Sequence, residues 1–173
     1  MKSRTLSLAG ALSMALFSAA ALATGEHAGG HGHDEGATGT PGKAANVSRT
    51  IKIDMSDAMR FTPASISAKQ GETIRFVVAN SGKVRHELVF GTDKALREHY
   101  EVMKKNPEME HADENMVTVA PGKSGEVIWQ FTKAGKIDFA CLQPGHYDAG
   151  MKGAVMVAGA TGKKADGHGK HQH

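Results

Sequence analysis

The sequence predicts an all-β sandwich of seven or eight short strands with one helical insertion. Three observations predict it. Segments rich in β-branched and apolar residues recur across residues 47–158, turn signals separate them, and a single stretch switches to helical spacing.

Taken in order, the chain begins with Lys2 and Arg4 ahead of an apolar run from Leu6 to Leu22, which closes on the small-residue triplet Ala21-Leu22-Ala23. This is the pattern of a secretory signal peptide over residues 1–23. The expectation is export to the periplasm, with no membrane span in the mature chain. Residues 24–46 are mostly Gly, Ala, Thr and His, including His27, His31 and His33. Such a composition buries too little apolar surface to fold alone and reads as a disordered leader. Residues 159–173 repeat the pattern with Lys163, Lys164, His168, Lys170, His171 and His173, a second disordered tail. Both offer imidazoles for loose metal capture.

Between the tails lies one domain, residues 47–158. Ile51 and Ile53 alternate with Lys52 and Asp54. Thr73–Ala79, His86–Phe90, Met116–Val119, Val127–Phe131, Lys136–Cys141 and Gly153–Val157 carry further strand signals. Lys69-Gln70-Gly71-Glu72, Asn80-Ser81-Gly82 and Pro121-Gly122-Lys123 read as turns. The exception falls between Thr92 and Asn115. There Ala95, Leu96, His99, Tyr100 and Met103 recur at helical intervals, and Asn106-Pro107 closes the helix.

Composition narrows the function. Without Lys2 and Arg4 the chain keeps 19 basic residues against 18 acidic ones, a balance that does not suit nucleic acid. An exported chain commonly pairs its cysteines, yet this one has a single cysteine, Cys141. The cysteine count alone leaves an inert buried thiol or an intermolecular disulfide open.

The residues after Cys141 favour a third reading. In Cys141-Leu142-Gln143-Pro144-Gly145-His146-Tyr147-Asp148-Ala149-Gly150-Met151 a thiol, an imidazole and a thioether recur every five residues, on a loop between two strands. Pro144, Gly145 and Gly150 supply bends that let the three converge. Thiolate and thioether sulfur favour Cu(I), imidazole serves both oxidation states, and two His, one Cys and a weak axial Met form an electron-transfer set. The second imidazole is expected from a neighbouring strand, and His86, which opens His86–Phe90, is the candidate. The metal ligands read from the sequence are thus His86, Cys141, His146 and Met151, around one copper ion. Met103, Met109, His111 and Met116 offer further soft donors for an accessory Cu(I) site, beside the plainer reading of ordinary helix packing and a polar loop.

An isolated strand histidine followed far downstream by Cys-x4-His-x4-Met resembles the cupredoxins, with a loop spacing similar to the rusticyanin-like and azurin-like members. The resemblance covers roughly residues 50–158. It implies a Greek-key β-sandwich with a type 1 copper near one end, and it puts the electron port at His146, where a redox partner would dock. One departure is Glu87, where plastocyanin-like and azurin-like members commonly carry Asn. Two roles follow as expectations. One is electron transfer by Cu(I)/Cu(II) cycling. The alternative, to which copper-tolerance cupredoxins with similar Met- and His-rich stretches point, is binding, buffering or oxidising excess periplasmic copper. A closed four-ligand site leaves no place for a substrate, so a non-enzymatic monomer is expected.

Overall fold

The computed structural model describes residues 36–109 and 111–160. Among them the strands are β1 (Thr40–Pro41), β2 (Arg49–Ser56), β3 (Arg60–Thr62), β4 (Ser65–Lys69), β5 (Thr73–Asn80), β6 (His86–Gly91), β7 (Met116–Val119), β8 (Ser124–Gln130), β9 (Gly135–Ala140) and β10 (Lys152–Ala158). Helix α1 (Asp93–Lys105) stands between β6 and β7. One sheet has the order β1-β8-β5-β2-β3 and the other β4-β10-β9-β6-β7. β2 runs parallel to β5 and β4 parallel to β10, while the other neighbours are antiparallel.

Strand periodicity builds the core. Ile74, Phe76 and Val78 of β5 are fully buried on the period of two. They meet Leu88 and Phe90 of β6 and Ile137 and Phe139 of β9 from the other sheet. Phe90 is central, with ring centroids 5.1 Å from Phe76 and 6.0 Å from both Trp129 and Phe139.

The helix forms where the spacing predicts it. Thr92 caps it, its hydroxyl accepting from the Ala95 amide at 3.2 Å, and Lys104 and Lys105 end it favourably for the helix dipole. Leu96, Tyr100 and Met103 are its buried stripe. They form a second cluster with Val89, Met116, Ala140, Leu142 and Tyr147. Consequently β6 is covered on both faces and every one of its residues is buried.

The structure corrects the leader boundary. Residues 40–46, read as leader, belong to the domain: Thr40 and Pro41 pair with Gln130 and Trp129, and Trp129 Nε1 donates to the Thr38 carbonyl at 2.8 Å. Gly39, at φ +121°, permits this approach, since a Cβ there would strike the Gln130 carbonyl and the Trp129 ring. Backbone pairing, not apolar side chains, holds the segment, and composition does not report it. β3 and β4 are also additions, although Ile66 and Ala68 alternate with Ser65, Ser67 and Lys69 as an edge strand should. The expected signal peptide, most of the expected leader and nearly all of the expected tail fall in residues 1–35 and 161–173, outside the described residues.

Candidate metal centre

The loop from Cys141 to Met151 joins β9 to β10 and closes on itself. The Cys141 amide donates to the Met151 carbonyl at 3.1 Å and the Met151 amide to the His146 carbonyl at 3.0 Å. Gly145 and Gly150, at φ +84° and +86°, turn the chain where side-chain residues would be strained. Cys141 and Met151 are fully buried in the main core, whereas Pro144 and Gly145 are exposed and His146 is partly so.

The fold brings together three of the four ligands read from the sequence. The donor atoms of His86, Cys141 and His146 all lie within 4.8 Å of one another. The two Nδ1 atoms are 3.2 Å apart, and Cys141 Sγ is 3.3 Å from His146 Nδ1. Met151 enters the same core cluster as Cys141 at the base of the loop. Two imidazole nitrogens and a thiol aimed at one point suit copper.

Electrostatics agree with that fit. Burial pushes the Cys141 thiol up to about 12, so the metal-free protein holds that proton and an incoming cation must expel it. Burial first, and then His86, holds His146 below the usual histidine range, leaving a neutral imidazole lone pair at neutral pH.

Supports not visible in the sequence hold these donors. Glu87, 1% exposed, accepts from the Leu142 amide at 3.0 Å and from Gln143 Nε2 at 2.9 Å, and its own amide donates to Cys141 Sγ at 3.5 Å. The departure at position 87 thus places a buried carboxylate as a pin between β6 and the ligand loop. Tyr100 of α1 accepts from the Gly145 amide at 3.0 Å and donates to Asp148 at 2.8 Å, while its ring stacks on Tyr147. Arg60 Nη1 donates to the Ala149 carbonyl at 2.9 Å. In the turn before His86, Asn80 Nδ2 donates to the Val84 carbonyl at 2.8 Å and to the Val119 carbonyl of β7 at 2.9 Å.

With this geometry the family match is decisive. Residues 47–158 match the model of the copper-binding plastocyanin/azurin family. The chain belongs to that family and is a cupredoxin. It is 54% identical over 132 residues to the copper-resistant cuproprotein CopI of Rubrivivax gelatinosus, covering 76% of this chain and 80% of that one. It is 38% identical over 150 residues to CopI of Pseudomonas aeruginosa, covering 70% and 82%. Among solved structures it resembles reduced auracyanin of Roseiflexus castenholzii, with a TM-score of 0.55, 23% identity, and coverage of 65% of this chain and 98% of that one. That last likeness concerns the fold alone.

The soft residues beside the helix of this cupredoxin divide into two groups. Met103 and Met116 are buried in the cluster beneath α1, as ordinary core. Met109, 42% exposed, and His111 line a cleft of about 330 Å³ with Arg85, Glu87, Thr118 and Gln143. Among the described residues both His111 ring nitrogens are buried without a hydrogen-bond partner, and the ring stands 4.6 Å from that of His99. The four residues therefore do not make one site.

Proposed function

We propose that this cupredoxin serves copper tolerance in the periplasm, holding one copper ion on His86, Cys141, His146 and Met151. The observation that carries the reading is the convergence of His86, Cys141 and His146 donors within 4.8 Å on an independently braced frame. Bound copper would supply one-electron chemistry between Cu(I) and Cu(II). The chain's part is to hold the donors in place, exclude water from Cys141 and leave His146 near the surface. A frame that barely moves keeps the cost of changing oxidation state low. The names of the two CopI relatives support tolerance, as does the Met109 and His111 cleft, which offers soft donors to a further cuprous ion.

Electron carriage is the second reading, favoured by His146 being part-exposed next to exposed Pro144 and Gly145, where a redox partner could dock. Optical and paramagnetic-resonance spectra of the Cu(II) form test the ligand set. The wild type should show an intense thiolate-to-copper band and Cys141→Ser should lose it; a band that survives the substitution refutes the assignment. A deletion strain separates the roles. Growth failing only under added copper indicates tolerance, and a respiratory defect at low copper indicates electron carriage.

A further inference from the structure

His86 is completely buried, yet its outward nitrogen meets an exposed carboxylate: Nε2 lies 3.2 Å from Asp57 Oδ1. We propose that Asp57 is a positioning residue, whose carboxylate fixes the tautomer of His86 and biases the copper centre toward Cu(II). The inference rests on His86 being a ligand, as above.

Three observations carry it. First, Asp57 is held in place independently of His86: its Oδ2 accepts from the Lys83 amide at 2.8 Å and its Oδ1 from the Val84 amide at 3.4 Å. Second, the chain makes room for it. Gly82 packs so closely on Asp57 that a Cβ there would collide with the carboxylate. Third, a carboxylate only accepts, so the proton of His86 belongs on Nε2 and the Nδ1 lone pair faces Cys141 and His146. A carboxylate behind a ligating imidazole fixes its orientation and raises its donor strength. Greater donor strength and a nearby negative charge both favour the more positive oxidation state.

Asp57→Asn keeps an acceptor and removes the charge, whereas Asp57→Ala removes both. In the metal-free proteins, nitrogen-15 shifts of His86 should report an Nε2 proton in the wild type and in Asp57→Asn. Asp57→Ala should lose that preference. In the copper-loaded proteins, voltammetry should show the potential rising in both variants, more in Asp57→Ala. About a tenfold change in the Cu(I)-to-Cu(II) preference, or ~59 mV for one electron, is expected there. Gly82→Ala, which displaces the same carboxylate by another route, should follow Asp57→Ala, with urea midpoints checking that each variant is folded. Potentials unchanged or lowered in the folded Asp57 variants, or an unchanged His86 tautomer in Asp57→Ala, overturn the proposal. A wild type without the thiolate-to-copper band fails the ligand reading itself, a separate result.

Discussion

The ligand loop and the helix-side cleft share a wall at Glu87 and Gln143 but are built in opposite ways. Around Cys141 the braces come from four places, Glu87 on β6, Tyr100 on α1, Arg60 on β3 and the loop's own turns, so the donors stand ready without metal. At His111 the ring nitrogens find no such partners among the described residues, and Met109 stands exposed. The first arrangement suits an ion that stays while its charge changes. The second suits a soft ion that comes and goes, because flexible thioether donors adapt to their guest.

Removing the pin should break the contrast most. Glu87→Ala leaves the Leu142 amide and the Gln143 side chain buried without their acceptor, at a cost of about 1–3 kcal/mol in urea unfolding. The thiolate-to-copper band should broaden as the loop loosens. Tyr100→Phe removes one brace and keeps the ring stacking, so about 1 kcal/mol is expected by the same measurement, with cleft occupancy unchanged.

A pH control comes from the other end of β5. Arg49 beside Glu72 holds its carboxyl below the usual range, helped by the Lys69 amide. Because the folded value lies below the unfolded one, this contribution is complete above the ordinary carboxylate range and is lost as pH falls through the folded value. Glu72→Gln should therefore cost about 1 kcal/mol at neutral pH and little in acid, leaving the copper band alone. The smallest effect on the centre is expected from the cleft itself. Met109→Ala with His111→Ala should leave the band in place while cuprous titration against a chelator loses an equivalent. A band that shifts would show the two regions to be one site.

Much of this was legible in advance, for a physical reason. The five-residue rhythm of Cys141, His146 and Met151 is local, and so are the helical spacing of Leu96, Tyr100 and Met103 and the β-branched strands. What escaped was nonlocal. Asp57 meets His86 across 29 positions, Tyr100 meets Gly145 across 45 and Arg60 meets Ala149 across 89, and no periodicity encodes such pairs. Met103 and Met116 show the converse limit, since methionines close in sequence leave a donor cluster and ordinary packing both open until burial assigns these two to packing. Glu87 stood out as a departure in sequence, but only the fold shows it bridging to Leu142 and Gln143.

The hydrogen bond from Gly145 to Tyr100 also joins the helix and the ligand loop in their fluctuations. Tyr100 is anchored in the cluster beneath α1, so an excursion that frees the loop amide must disturb that cluster or break the bond. Helix and loop are therefore expected to open together, with a shared protection against amide exchange as the measurable sign. Metal seated on the loop would slow exchange in a helix it never touches, and loosening the helix would shorten the residence of the metal.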